Sequence, residues 1–336
     1  MYFLRPTGPL PAPPAALRGT GRPFSDLFRR DLTSPGAAGP RQSTHSATFL
    51  TTAEKNYDSS SDGSGALAVA LPGLWAGVEM RRKGERMALL EVDNVSVSFD
   101  AVKVLDQVSL KVERGAIACL LGPSGCGKTT LFHVVAGLSL PTAGRVLLDG
   151  RDITGVPGQL AYMLQKDLLL PEKTIVDNVS LPLVLRGVPA AKAREQALAL
   201  FDTFGLSGTE HRWPAELSGG MRQRAALLRS YLFSQEFMLL DEPFSALDAF
   251  TKADLHAWFL DVADRFDTTA LVVTHDIDEA IELADEIFVM RGAPQAGEPT
   301  RIVGSERIVC PRSERATFSL TEEFLEHKRR VLALLG

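Results

Sequence analysis

The sequence has few cysteines, no long apolar run and no excess of positive charge. Its 336 residues include only Cys119, Cys126 and Cys310, an odd number without metal-ligand spacing, which predicts reduced thiols rather than disulfides or a zinc site. No apolar run approaches the roughly 20 residues of a membrane-spanning helix, and the longest candidate, ALAVALPGLWAGV, is interrupted by Pro72. Because 36 Lys and Arg face 41 Asp and Glu, nucleic acid is not expected as a partner. Any membrane role must come from a partner protein.

Residues 1–86 differ in composition from the rest of the chain. Stretches such as PLPAPPAALRGTGRP and SSSDGSG are rich in Pro, Gly, Ala and Ser, which cannot offset the entropy of ordering, so the segment is predicted to be disordered. MYFLRPTGPLP lacks the apolar run of a secretory signal. A transit peptide is one alternative. Another is that the natural product begins at Met80 or Met87, so that the preceding stretch is an artefact of start-site choice.

After residue 88 the pattern becomes regular and predicts an α/β fold. ALLEVDNVSVSF alternates apolar and polar residues at Val95, Val97 and Phe99, which indicates a half-buried strand, and VLDQVSLKV suggests a second. Three apolar runs, in AIACLLG, FMLLDE and ALVVTHD, are typical of strands buried on both faces of a parallel sheet. Helical spacing between about residues 168 and 229, as in AAKAREQALALFDTFGL, predicts a helical insertion into this core.

The segment GPSGCGKT matches the phosphate-loop pattern, with a buried strand before it and an apolar helix after it. Its glycines allow successive N–H groups to face phosphates, and the helix N-terminus adds partial positive charge. Lys128 can then reach the β- and γ-phosphates, and the Thr129 hydroxyl can ligate Mg²⁺. The residues predicted to bind nucleotide in this segment are Gly122, Pro123, Ser124, Gly125, Cys126, Gly127, Lys128, Thr129 and Thr130.

Acidic and basic side chains follow two of the predicted buried strands. Asp241 and Glu242 end FMLLDE, where Asp241 would hold Mg²⁺ through water and Glu242 would polarise the attacking water. His275 ends the next strand, at the sheet edge where open α/β folds bind ligands. Adjacent acids in a solvated loop and a histidine satisfied by the fold are the structural alternatives. Gln165, in YMLQKD, is uninformative by itself.

A second glycine-containing turn, ELSGGMRQR, opens a helix but lacks a lysine. GPSGCGKTT, YMLQKD, LSGGMRQR, FMLLDEPFSALD and VVTHD occur in the order and approximate spacing of the ATP-binding-cassette (ABC) ATPases, which the chain resembles from about residue 89 to 291. This resemblance implies a phosphate-loop NTPase core with an antiparallel β subdomain and a helical insertion subdomain. The implied ATPase domain covers residues 87–300, with the helical part at about 168–229 and a short tail at 301–336.

The resemblance also assigns roles to individual residues. Phe99 is similar to the aromatic residue that stacks on adenine, although a strand-end core residue is an equal alternative. Gln165 resembles the γ-phosphate sensor and metal ligand, Glu242 the general base, and His275 the residue that holds γ-phosphate and water in line. Asp248 resembles the turn that crosses the dimer interface.

In this family the LSGG turn closes over ATP held by another subunit, so Ser218, Gly219 and Gly220 would donate to a γ-phosphate bound by the partner's phosphate loop. Ser218 would also cap its own helix. The resemblance further implies ATP and Mg²⁺ as ligands and a homodimer or paired ATPase subunit at the cytoplasmic face of the membrane.

Two membrane-spanning permease subunits and, indirectly, a periplasmic or lipid-anchored solute-binding protein are the other implied partners. Segments such as PEKTIVDNVSLPLVLRGV resemble importers of nitrate, sulfonates, taurine and pyrimidine precursors. An export ATPase shares every catalytic motif and stays an alternative. A soluble ABC ATPase without a transport role is a weaker one, because only a single cassette is present.

Overall fold

The structure is a computed structural model that describes residues 88–100 and 102–336. The predicted disordered segment and its alternative start sites lie outside these residues. The strands are β1 Ala88–Phe99, β2 Val102–Glu113, β3 Ile117–Leu121, β4 Ala143–Leu148, β5 Arg151–Asp152, β6 Ala161–Met163, β7 Phe237–Asp241, β8 Thr269–Thr274, β9 Glu286–Ala293 and β10 Glu298–Arg307. The helices are α1 Lys128–Val135, α2 Ile175–Leu185, α3 Ala190–Leu198, α4 Gly219–Phe233, α5 Ala249–Arg265, α6 Ile277–Leu283, α7 Arg315–Phe318 and α8 Glu322–Leu335.

All ten strands form one sheet, in the order β5-β4-β1-β2-β10-β9-β3-β8-β7-β6. Strand β1 pairs antiparallel with β2 and β4, which confirms the predicted antiparallel subdomain. At the other end β9, β3, β8, β7 and β6 are joined by parallel pairings. Parallel neighbours place their carboxyl ends at the same edge of the sheet, so the loops after β3, β6, β7 and β8 meet there.

The central parallel strands are buried on both faces, as their continuous apolar sequences predict. Every residue of β3, β7 and β8 is buried. Alternate side chains of β3 join two different apolar clusters: Cys119 packs with residues of α4, α5 and α6, whereas Leu120 packs with residues of α1, β1 and β2. The sheet is therefore covered on both sides, which is why these strands carry no polar face.

The predicted helical insertion contains α2, α3 and α4, but α3 is shorter than its apolar pattern suggests. It ends at Leu198, after which Phe201 N–H donates to Leu198 O in a tighter turn at 3.1 Å and Gly205 adopts a left-handed φ of 63°. Phe201 and Phe204 are each only 2% exposed. Phe201 and Phe204 are thus spaced as in a helix because both pack into the core, although the chain between them forms a turn.

The C-terminal residues belong to the same fold. Strand β10 lies between β2 and β9 and runs through residue 300, where the sequence places the end of the ATPase domain. Helix α8 buries Phe324, His327 and Val331. The three cysteines are free and buried. Within the described part of the chain, no helix is long and apolar enough to cross a membrane.

Candidate active site

The loop after β3 wraps around the amino group of Lys128. The Lys128 Nζ donates to the carbonyls of Gly122 at 2.7 Å and Pro123 at 3.0 Å, although the side chain is only 7% exposed. Gly127 caps α1 with a φ of 99°, a conformation that strongly favours glycine. A Cβ on Gly122 would lie 2.7 Å from the Met290 carbonyl oxygen, so this position has no room for a side chain. The loop is thus a tight turn with a buried cation at the start of a helix.

The other loop residues that are predicted to bind nucleotide differ in their exposure to solvent. Ser124, Gly125 and Thr129 are exposed, Thr130 is half-buried, and Cys126 is buried. Burial raises the pKa of the Cys126 thiol. Its thiol therefore stays protonated and packs inward, while the exposed part of the loop faces solvent.

Asp241 ends β7 as a nearly buried carboxyl group, 9% exposed. Tyr162, on the neighbouring strand β6, donates its hydroxyl to Asp241 Oδ2 at 3.3 Å. Burial raises the pKa of Asp241 despite this hydrogen bond and the nearby charges of His133 and Lys128, while burial and the negative charge of Asp241 raise that of Tyr162. The negative charge of such a buried carboxylate would be stabilised by a cation beside it. No cluster of three or more His, Cys, Asp or Glu suitable for a metal occurs in residues 88–100 and 102–336.

Glu242 lies at the centre of the candidate site. Its Oε1 is 3.0 Å from His275 Nδ1, and its Oε2 accepts from Gln165 Nε2 at 3.2 Å. Gln165 Nε2 also lies 3.2 Å from Ser245 Oγ. Side chains from the ends of β6, β7 and β8 thus converge on one carboxylate, as the sheet order requires.

The backbone at Glu242 is held in a conformation that is unfavourable for its residue type. Its φ of 46° is left-handed, which costs roughly 1 kcal/mol for a residue with a Cβ. The Glu242 N–H donates to the Val273 carbonyl at 3.0 Å, and Ser245 N–H and Oγ both reach the Glu242 carbonyl. These hydrogen bonds fix the direction in which the carboxylate leaves the end of β7.

Ser218 and Asp248 form a second group, at the starts of α4 and α5. Ser218 Oγ accepts from Met221 N–H at 3.3 Å, and Asp248 accepts from Thr251 N–H at 3.1 Å and from its hydroxyl at 2.6 Å. The hydrogen bonds from Thr251 lower the pKa of Asp248. A Cβ on Gly220 would lie 3.0 Å from Thr251 Cγ2, so the two helix starts are in close contact.

Gly219 packs in the same way, since its Cβ would lie 3.2 Å from Leu247. Within residues 88–100 and 102–336, no hydrogen bond or ion pair joins Ser218 or Asp248 to Lys128, Glu242 or His275. The structure therefore joins Glu242, His275 and Gln165 by hydrogen bonds and leaves Ser218 and Asp248 outside this network.

Phe99 does not continue the buried face of β1. Val95 and Val97 are 0% and 2% exposed, whereas Phe99 is 55% exposed. The strand-end core interpretation of this residue is therefore wrong. An exposed aromatic ring is available for stacking on a flat ligand.

Sequence reasoning missed Tyr162 and Ser245, which contact Asp241 and Gln165 respectively. Neither has a motif of its own, and both contacts depend on the pairing of β6 with β7 and on the turn after Glu242. The alternation of Tyr162 with buried Ala161 and Met163 along β6 places its side chain between the sheet and α1.

A sequence model of the family described as ABC transporter matches residues 105–245. The chain is similar to an ABC transporter ATP-binding protein of Methanocaldococcus jannaschii, 36% identical over 261 residues that cover 76% of this chain and 95% of that protein. It is also 41% identical over 210 residues to a formylaminopyrimidine import ATP-binding protein of Halalkalibacterium halodurans, covering 62% of this chain and 82% of that one.

A solved structure, the dimeric post-hydrolysis state of an ATP-binding cassette bound to ADP and Pi, superimposes with a TM-score of 0.55 at 25% identity, covering 66% of this chain and all of that one. The residues 105–245 that match the family model include the phosphate loop, the acidic strand end and the helical insertion. The chain belongs to the ATP-binding subunits of ABC transporters, and it is an ATP hydrolase coupled to transport.

Proposed function

We propose that this chain is the motor subunit of an ABC importer, in which ATP joins two ATPase subunits and hydrolysis separates them. The observation that carries the proposal is the convergence of His275 and Gln165 on the carboxylate of Glu242. That carboxylate can accept a proton from water, and its two neighbours can hold the water and the γ-phosphate in line.

The phosphate loop binds ATP through its backbone N–H groups and Lys128. In the structure the Lys128 ammonium is held by two loop carbonyls, so it is already positioned when phosphate arrives. Phe99 stacks on the adenine ring. The hydroxyl of Thr129, Asp241 and Gln165 would hold Mg²⁺, which when bound neutralises charge on the β- and γ-phosphates. The buried carboxyl of Asp241 fits this role because burial raises its pKa, and among the described residues no Lys, Arg or His forms an ion pair with it.

The group formed by Ser218, Gly219, Gly220 and Asp248 acts on a different nucleotide. We assign it to ATP held by a second subunit, as the family resemblance implies, and no described hydrogen bond or ion pair joins it to the phosphate loop of its own chain. The exposed Ser218 hydroxyl and the free N–H groups at the start of α4 suit a γ-phosphate. The dimeric cassette to which the chain is similar supports a two-subunit arrangement.

Two permease subunits would dock between the helical insertion and the Gln165 loop at the cytoplasmic face of the membrane, with a solute-binding protein delivering the solute. The solute is of the nitrate, sulfonate and taurine class or a pyrimidine precursor. The relative that imports formylaminopyrimidine supports a pyrimidine precursor.

Purification of the tagged full-length chain from native membranes tests this proposal. We expect polytopic membrane proteins to co-purify with the wild-type chain and with a Glu242→Gln variant, because that substitution removes the base and leaves the docking surface unchanged. Vesicles holding the purified complex should take up the solute only when ATP is present. A chain that hydrolyses ATP but is recovered without any membrane protein would contradict the transport assignment.

A further inference from the structure

A buried group of charged side chains lies beside the candidate site and contains none of the predicted site residues. It is centred on His256 of α5, which is 5% exposed, and on Glu279 of α6, which is 3% exposed. The His256 Nε2 is 3.2 Å from Glu279 Oε1, and its Nδ1 is 2.9 Å from Glu282 Oε2. An imidazole with a carboxylate oxygen at each nitrogen satisfies both only when both nitrogens carry protons. His256 is therefore a buried cation clamped between two anions.

Glu279 connects this cation to the end of β8. Its Oε2 accepts from Thr274 Oγ1 at 2.5 Å and lies 3.6 Å from the Lys252 ammonium. Thr274 is the residue immediately before His275, and it is 1% exposed. The Glu279 carboxylate thus joins α6 and α5 to the end of β8, directly before His275.

The residue after His275 is held by the same group. Asp276 accepts from Lys252 at 2.9 Å and caps α6 by accepting from the N–H groups of Asp278 and Glu279. Its own N–H donates to Thr274 Oγ1 at 3.0 Å. His275 itself is 54% exposed and has one described hydrogen-bond partner, Glu242. Its position is consequently set through its two neighbours in sequence.

Helix α5 connects His256 to the Asp248 turn. It begins at the Asp248 cap, two turns before His256. Because a helix is a rigid element, the position of His256 and the position of the Asp248 cap depend on each other. The ring of Phe244, five residues before α5, packs edge-on against His256 with 5.0 Å between ring centroids. The titratable groups that face His256 are Glu279 and Glu282 of α6, with Lys252 one turn earlier on α5.

We infer that His256 is a positioning residue for ATP hydrolysis: through Glu279 and Thr274 it holds His275 against Glu242, and through α5 it links His275 to the Asp248 turn. The inference rests on the proposed role of His275. It predicts that loss of the imidazolium displaces His275 and leaves the phosphate loop unaffected, because no described hydrogen bond joins that loop to His256, Glu279 or Thr274.

The test compares His256→Gln with His327→Gln. The control residue is also a buried histidine paired with a glutamate, Glu306 at 2.6 Å, but it lies on α8 and has no described hydrogen bond or ion pair with Thr274 or Glu279. We expect His256→Gln to lower kcat by about ten- to a hundredfold, as displacement of a catalytic group does, and to leave KM for ATP within about twofold of wild type. His327→Gln should leave both constants close to wild type.

A second measurement does not depend on activity. The chain has six histidines, and ring-¹⁵N spectra of histidine-labelled protein can be assigned by single substitution. The His275 signals should move in His256→Gln and stay unchanged in His327→Gln. If His256→Gln does not fold, Glu282→Gln removes only the more exposed partner, 29% accessible, and should shift the same signals.

The outcomes distinguish the proposed role of His275 in hydrolysis from the positioning role of His256. If His275→Ala turns over ATP like wild type, the proposed role of His275 fails. If His275→Ala is impaired but His256→Gln changes kcat and the His275 signals no more than His327→Gln does, the positioning role alone is wrong.

Discussion

Phe99 presents 55% of its side chain to solvent at the end of β1, immediately before the residues that lead into β2. A large aromatic ring in that position contributes little to the core and retains a free π face. Base-to-aromatic stacking stabilises a bound base by about 1–3 kcal/mol, as measured by alanine substitution. The energetic role of Phe99 is therefore expected in ligand binding rather than in folding.

We predict that Phe99→Ala raises KM for ATP about tenfold, equivalent to roughly 1.4 kcal/mol of binding free energy, while kcat changes little. Phe99→Trp should retain most of the affinity because it keeps the aromatic face. Leu320→Ala is a matched surface control, since that side chain is 88% exposed and lies in the C-terminal region. An unchanged KM in Phe99→Ala, measured by steady-state ATPase kinetics, would show that Phe99 does not contact adenine.

The buried charges between helices α5 and α6 should make the free energy of unfolding depend on pH. Burial alone would lower the pKa of His256, but hydrogen bonds to Glu279 and Glu282 outweigh it, and the pKa is raised from its ordinary value of 6.5. Burial alone would raise the pKa of Glu279, but hydrogen bonds from His256 and Thr274 lower it from 4.5. The His256 contribution is thus fully present below pH 6.5 and is lost as pH rises through the folded-state pKa. The Glu279 contribution is present above pH 4.5 and is lost as pH falls through its folded-state pKa.

We predict that His256→Gln destabilises the protein by about 1–3 kcal/mol near pH 6, because the buried carboxylate of Glu279 and the half-buried carboxylate of Glu282 lose a charged partner. The difference from wild type should shrink at a second, alkaline pH, because wild-type His256 also loses its charge as pH rises through its folded-state pKa. Denaturant unfolding at both pH values measures this. Leu255→Ala, a buried apolar change on the same helix, should destabilise equally at both. A His256→Gln difference that does not vary with pH would mean that His256 is already neutral in the folded state.

The sequence predicts elements well where local pattern and burial agree. The runs around Leu120, Leu239 and Val272 are apolar throughout because both faces of β3, β7 and β8 are covered. The extent of α3 is predicted poorly, because Phe201 and Phe204 keep helical spacing across a turn. The pairing of His256 with Glu279 cannot be read from the sequence at all, because it depends on how α5 packs against α6.

At the scale of the whole molecule, the predicted site residues form two groups that make no mutual hydrogen bond among the described residues. Lys128, Glu242 and His275 lie at the carboxyl ends of parallel strands, whereas Ser218 and Asp248 begin helices α4 and α5. The motifs alone identify both groups. Their lack of a mutual hydrogen bond among the described residues becomes visible only in three dimensions, because it depends on where the helical insertion places α4.

We predict that Glu242→Gln converts the chain into a stable dimer when ATP and Mg²⁺ are present. The glutamine cannot accept the proton of the attacking water, so ATP is not hydrolysed. The contacts to the γ-phosphate that favour the closed dimer remain. An almost complete shift of the population from monomer to dimer requires that these contacts favour the dimer by about 5.5 kcal/mol. Size-exclusion chromatography with light scattering should show a dimer with ATP and a monomer with ADP. The outcome that opposes the prediction is a monomer under both conditions, with ATP binding intact.

Ser218→Arg tests whether ATP binding and dimer formation can be separated, because we propose that the two groups of residues act on different nucleotides. An isolated chain holds ATP with its own phosphate loop, so the variant should bind ATP like wild type in equilibrium dialysis. Placed in the Glu242→Gln background, it should abolish the ATP-dependent dimer, since the arginine fills the space in which Ser218 and Gly219 meet the partner's γ-phosphate. Ser218→Thr is the control: it retains a hydroxyl that can cap α4, whose loss alone costs about 1 kcal/mol, and it should still dimerise. If Ser218→Arg weakens ATP binding by the monomer while its unfolding curve matches that of Ser218→Thr, then Ser218 acts on the nucleotide of its own chain. The second group would then have to move toward Lys128 within one subunit.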